Sequence, residues 1–247
     1  MKSLLCTLGA ALLALAAGIG PSHASVVIAG TRVVFSAASG ETTVHLTNEG
    51  KLPALVEAWI DDGNPASTPD TAKVPFLITP PLTRMDAGRG QSLRIIYTGQ
   101  PLPTDRESLF WLNVLEIPPK PVTKPGEERN TLQFAVRSRL KLFFRPANLA
   151  GNPLTAGEQL GWSVAADGTG YALVVRNPTP YYITISKLTL HVDGAAYTTD
   201  SGMVAPLASL HLPVKDLHRA PSAGSAVDYT VINDFGAGTS YKGTVTP

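Results

Sequence analysis

The sequence predicts an all-β protein built from two immunoglobulin-like β-sandwich domains, and three observations carry that prediction. Short runs rich in Val, Ile, Thr and aromatic residues are closed off by 21 prolines and 22 glycines, and no amphipathic run of helical period is long enough to compete. The runs fall into two sets on either side of 145–153, a stretch broken by Pro146, Gly151 and Pro153 that reads as a linker. Once a 24-residue leader is set aside, about 220 of the 247 residues remain, which is long for one sandwich and comfortable for two of roughly 100 each.

The leader comes first in the chain. Residues 1–24 carry one charge, Lys2, then an unbroken apolar run from Leu8 to Ile19, then Pro21-Ser22-His23-Ala24. This pattern reads as a secretory signal peptide with the small residues Ser22 and Ala24 three and one positions before the cut, so the mature chain is expected to start at Ser25. The apolar run is shorter than the ~20 residues needed to span a bilayer and no stop-transfer charges follow, so no stable membrane insertion is expected. Cys6 leaves with the leader, and the mature chain is expected to work in an oxidising compartment, the periplasm or beyond, without a disulfide. Loss of Lys2 turns 20 Lys+Arg against 19 Asp+Glu into 19 against 19, and a net charge of zero lacks the electrostatic footprint of a nucleic-acid binder.

In the first domain (25–147) strands are expected over 26–35, 42–47, 54–60, 76–79, 92–97, 109–117 and 132–144. In the second (148–247) they are expected over 160–165, 171–176, 182–191, 196–198, 209–213, 226–233 and 241–246, with Asp167-Gly168 and Asp193-Gly194 as hairpin turns. Two sandwiches on a short stiff connection meet at an angle and leave a cleft, where ligands tend to bind.

The stretch 132–144 is the most informative. Read in steps of two, Leu132, Phe134, Val136, Leu140, Leu142 and Phe144 share one face, interrupted by Ser138, and Gln133, Arg137, Arg139 and Lys141 share the other. As one strand it would run roughly 40 Å, against a usual ~17–20 Å, so part of it needs cover from outside its own sheet.

Catalysis finds no footing. The mature chain has no thiol, its four histidines (His45, His191, His211, His218) show no paired ligand spacing, and no G-x-S-x-G elbow or phosphate-cradling loop occurs. Asp61-Asp62 beside Gly63-Asn64-Pro65 reads as a turn rather than a metal site. No enzyme, cofactor or metal is expected.

The block Asp105-Arg106-Glu107-Ser108-Leu109-Phe110-Trp111-Leu112-Asn113-Val114-Leu115-Glu116-Ile117-Pro118-Pro119 resembles the signature of the periplasmic chaperones of the chaperone/usher pilus pathway. So do Thr31-Arg32-Val33-Val34-Phe35, the run from Thr79-Pro80-Pro81 to Gly88, Leu140-Lys141-Leu142-Phe143-Phe144-Arg145-Pro146, Asn177-Pro178-Thr179-Pro180-Tyr181-Tyr182 and Ile232-Asn233-Asp234-Phe235-Gly236, in order along nearly the whole mature chain. The resemblance implies a boomerang of two immunoglobulin-like domains that binds pilus (fimbrial) subunits, lends its G1 strand to complete the subunit's sandwich, and delivers the subunit to an outer-membrane usher. Strand addition of this kind is a described mode for pilus chaperones. It further implies that Arg32 and Lys141 anchor the subunit's terminal carboxylate, that Leu132, Phe134 and Val136 are the donor-strand residues, and that Glu107, Arg145 and Asp234 form an ionic cluster between the domains. The loop 120–131 lacks the cysteines of the family's long-loop branch and leans to the short-loop, rod-pilus branch. The alternative is a secreted two-domain binding or adhesion module. An exposed apolar stripe beside Arg137, Arg139 and Lys141 would be an aggregation hazard for such a module, whereas a chaperone free of its client is expected to hide the stripe by self-association.

Overall fold

The computed structural model describes residues 25–120 and 132–246, so the leader, almost all of the loop 120–131 and Pro247 lie outside the described residues. The first domain contains β1 (Val26–Ile28), β2 (Arg32–Ser36), β3 (Glu41–Asn48), β4 (Ala54–Asp61), β5 (Phe76–Thr79), β6 (Leu82–Met85), β7 (Gly90–Tyr97), β8 (Ser108–Ile117) and β9 (Val136–Arg145). They form two facing sheets of order β1-β3-β7-β5 and β2-β9-β8-β4-β6. Alternate residues of both meet in a core that includes Phe35, Leu46, Ile95, Leu112 and Leu142. At one end Phe35, Phe76, Phe110 and Phe144 pack largely edge to face.

Two sequence expectations are corrected by the strand pairing. The single strand expected over 26–35 is two strands in different sheets. Val26–Ile28 pairs antiparallel with β3, the chain turns at Gly30 (φ 96°), and Arg32–Ser36 pairs parallel with β9. Both halves are apolar on alternate residues, so hydrophobic pattern alone does not show the switch. The strand expected over 132–144 begins only at Val136; Leu132 to Ala135 form no ladder. The pairing stops because its partner does. β8 ends at Ile117, and Pro118 and Pro119, which have no N–H, follow it. Gln133 Nε2 instead donates to the carbonyls of Pro118 and Pro119 at 2.8 and 2.9 Å. Phe143, on the same face as Arg137, Arg139 and Lys141, is buried.

The second domain contains β10 (Gly161–Asp167), β11 (Gly170–Arg176), β12 (Ile183–Val192), β13 (Ala195–Thr198), β14 (Gly202–Val204), β15 (Ser209–Val214), β16 (Ala226–Ile232) and β17 (Gly238–Thr244). One sheet runs β10-β11-β15 and the other β13-β12-β16-β17, with β14 also paired to β12. A separate core, including Trp162, Leu173, Ile185, Leu188 and Leu190, lies between them. Of the two expected hairpin turns, Asp193-Gly194 falls where expected, whereas the turn between β10 and β11 lies one residue later, at Gly168-Thr169, with Asp167 paired inside β10. Asp193 and Gly194, at φ 49° and 83°, supply the two positive φ values of a type I′ turn between β12 and β13. The fold class is therefore as expected: all-β, two sandwiches with a cleft between them.

Candidate functional site

The pairing of β9 differs along its length. On one side β8 accompanies it throughout, from Glu116 opposite Val136 to Ser108 opposite Phe144. On the other side β2 begins only at Lys141, with Arg32 opposite Lys141 and Ser36 opposite Arg145. From Val136 to Leu140 that edge is open among the described residues, and two cations stand where it ends. The chain leads into the open stretch through side chains that face solvent: Leu132 is 81% exposed, Phe134 68% and Val136 42%.

Arg32 and Lys141, neighbours on paired strands, both reach the second domain. Arg32 Nη1 donates to the Ile232 carbonyl at 3.0 Å and Lys141 Nζ donates to Thr184 Oγ1 at 3.3 Å. Thr184 and Ile232 are themselves opposite each other on β12 and β16, so one residue pair docks on another across the cleft. Burial pushes the Lys141 ammonium below its ordinary pKa, and the adjacent Arg32 charge pushes it the same way. Burial likewise lowers Arg32, with Asp234 working against it. Arg32 Nε is buried and has no hydrogen-bond partner among the described residues. A pair of crowded, partly desolvated cations with a spare donor is a natural receptor for an anion.

Glu107, Arg145 and Asp234 also come together. Arg145 Nε donates to Glu107 Oε1 at 2.7 Å, while Nη1 and Nη2 donate to the two Asp234 oxygens at 2.7 and 2.9 Å. Glu107 Oε2 accepts the Tyr182 N–H at 2.7 Å, and the guanidinium lies 5.3 Å from the Tyr181 ring centroid. Arg145 ends β9, whereas Asp234 and both tyrosines belong to the second domain, so the planar fork bridges the domains. Burial tends to lower Arg145, but the bonds to Asp234 and Glu107 outweigh it and hold the guanidinium charged. Burial raises the Glu107 carboxyl above the usual carboxylate range, and Arg145 offsets only part of that.

A third group goes beyond the residues the sequence points to. Asp61, 1% exposed, is no mere turn residue. Its oxygens accept from Arg139 Nη2, from Arg139 Nε at 3.2 Å, from Asn113 Nδ2 at 2.7 Å and from Gly63 N at 2.7 Å. Arg137 donates to Asn113 Oδ1 through Nε and Nη2, at 2.9 and 2.6 Å. Each guanidinium also covers a tryptophan, Arg137 at 4.7 Å from the Trp59 ring and Arg139 at 4.3 Å from Trp111. Burial would raise the Asp61 carboxyl, yet the donors from Arg139, Asn113 and Gly63 prevail and hold it below the usual range. The open part of β9 is thus braced from the face opposite its core. Two arginines spaced by two on a half-covered strand demand a counter-charge, and that was the available signal.

Comparison with known proteins gives a consistent picture. Residues 25–150 match the family described as pili and flagellar-assembly chaperone, PapD N-terminal domain, and residues 155–243 match the pili assembly chaperone PapD, C-terminal domain. The chaperone protein FimB/FhaD of Bordetella pertussis is 49% identical over 243 residues, covering 96% of this chain and 94% of that protein. Among solved structures, the CupB2 chaperone of Pseudomonas aeruginosa superposes with a TM-score of 0.73 at 38% identity, over 89% of this chain and 100% of that one. The SafB chaperone of Salmonella enterica, solved in complex with the SafA pilin, superposes with a TM-score of 0.73 at 30% identity, over 92% of this chain and 99% of the other.

Proposed function

The chain belongs to the pilus-assembly chaperone family, a non-enzymatic one, and we propose that it binds pilus subunits in the periplasm by donating the open edge of β9 and then delivers them to an outer-membrane usher. The observation that carries this reading is the half-paired strand. β2 leaves β9 free from Val136 to Leu140 and closes it where Arg32 and Lys141 stand. A subunit strand that follows this edge and places its terminal carboxylate between the two cations must run parallel to β9, because only that direction brings its C-terminus to the closed end. The main-chain ladder then provides sequence-tolerant affinity, and Leu132, Phe134 and Val136 enter successive pockets of the incomplete subunit. Each charge-assisted hydrogen bond to the carboxylate contributes ~1.5–3 kcal/mol and fixes register, since a slip by one residue would turn the wrong face to the pockets.

In this reading residues 25–147 and 148–247 are the two functional domains, and the Glu107–Arg145–Asp234 cluster sets their angle. The solvent-facing stripe is covered by self-association when no client is present. That SafB was solved with a pilin supports the choice of client class. The test is co-expression in a periplasm with candidate pilus subunits, followed by purification of the chain alone and as Arg32→Ala and Lys141→Ala. Capture by the parent chain and loss of capture in both variants is the expected result. Equal retention by the variants would refute the anchor, and failure to retain any subunit would refute the chaperone assignment.

A further inference from the structure

Glu116 is the one acid on the face of β8 that otherwise points Phe110, Leu112 and Val114 into the core, and it stands beside the start of β1. Its Oε1 accepts the Ser25 hydroxyl and its Oε2 accepts the Val26 N–H at 3.0 Å, while no cation pairs with it among the described residues. Ser25 is held from other directions too. Its carbonyl accepts the Glu49 N–H at 2.7 Å, and Gly50 approaches so closely that a Cβ there would overlap the Ser25 Cβ. The structure has therefore built a fitted seat for residue 25, with an uncompensated carboxylate beside it.

Ser25 is also the residue at which the mature chain is expected to begin, and the ion pair assigned to it depends on cleavage there. Hydrolysis of the Ala24–Ser25 amide consumes one water and leaves a carboxylate on Ala24 and an ammonium on Ser25. Within a serine the backbone nitrogen lies no more than about 4 Å from Oγ in any rotamer. We propose that Glu116 is the receptor for the α-ammonium that processing creates at Ser25, an ion pair that the leader-bearing chain cannot form. The other charges on the turn packed against Ser25 are Glu49 and Lys51, both exposed and of opposite sign, so Glu116 dominates the field at that nitrogen. Glu116 also pairs with Val136, the first residue of β9. Removal of the leader thus adds a contact at the root of the strand that the chaperone donates.

Four versions of the mature protein test this: the chain starting at Ser25 and the chain with one added alanine before it, each with Glu116 or Glu116→Gln. Intact mass establishes the starting residue of the natural secreted form, and a start other than Ser25 overturns the proposal without touching the chaperone assignment. In urea unfolding near pH 7 the added alanine is expected to lower the folded-to-unfolded ratio about twofold to fivefold with Glu116, the range of a partly exposed ion pair. No change is expected with Glu116→Gln. Because the pair raises the folded pKa of the amine, its stabilisation is full below the unfolded value of about 8 and is lost as pH rises through the folded value. An equal loss in both backgrounds, no loss in either, or a difference that persists at high pH would overturn the assignment.

Discussion

Arg145→Ala removes the side chain that, among the described residues, forms ion pairs with acids of both domains. Its side chain is 19% exposed and makes three charge-assisted bonds, one to Glu107, 2% exposed, and two to Asp234, 27% exposed. The two acids are not equivalent. Loss of the buried Glu107 partner leaves an almost dry carboxylate with only the Tyr182 N–H, the situation in which breaking a pair costs about 3–5 kcal/mol. The Asp234 half is wetter and is worth nearer the ~0–1 kcal/mol of surface pairs. The total is a large share of the ~5–15 kcal/mol that holds a domain together, and it falls on the junction.

The three tryptophans divide the signal between the domains: Trp59 and Trp111 report on the first and Trp162 on the second. Urea unfolding followed by fluorescence, repeated with Trp162→Phe, should show the first-domain transition moving down by about 1–5 M, given a slope of ~1–3 kcal/mol per M. The two domains should also unfold less coincidently. Because the folded pKa of Glu107 is raised, the penalty of its charge is absent below the unfolded value of ~4.3 and grows as pH rises through the folded one. The gap between variant and parent should therefore narrow toward pH 4, and Glu107→Gln added to Arg145→Ala should restore part of the loss at pH 7. An unchanged midpoint, or a gap independent of pH, would refute the reasoning.

Asp61→Asn leaves Arg139 half-buried without its counter-charge and is expected to cost about 2–4 kcal/mol, measured by denaturant unfolding at neutral pH. The parent carboxyl is held below the usual range, so its contribution is present above about 3.9 and disappears as pH falls through the lower folded value. The variant should lack that acid limb. Phe134→Glu lies on an exposed segment and should change stability by less than about 0.5 kcal/mol, yet abolish both subunit capture and concentration-dependent self-association in sedimentation experiments. Gly236→Ala places a Cβ 2.6 Å from Thr31 Oγ1 at a φ of 84°, and should lower the thermal midpoint more than the same change at Gly40, where the φ is 70° but nothing lies within 4 Å.

Sequence and structure part company where a residue's meaning depends on distant partners. Period-two alternation locates most strands of both sandwiches because half-buried sheets impose it directly. It misses β6, which follows Pro80 and Pro81, and the three-residue β14. Asp61 sits in a run that satisfies every local criterion for a turn, and it does accept the Gly63 N–H, but its principal partner Arg139 is 78 residues away. Spacing could not have joined Glu107, Arg145 and Asp234 either. Family resemblance named them, and the structure brings them within hydrogen-bonding distance.

The switch of the first strand between sheets has a consequence for length. Residues before Gly30 belong to one sheet and those after Thr31 cover β9, so the site of the crossover acts as a ruler for the open edge of β9. Side chains repeat every two residues along a strand. A crossover two residues earlier in register would extend β2 over Arg139 and remove two residues of open edge, and one two residues later would add as much. Insertions or deletions around Ala29 and Gly30, next to Arg32, should therefore change how many residues of β9 keep an open edge.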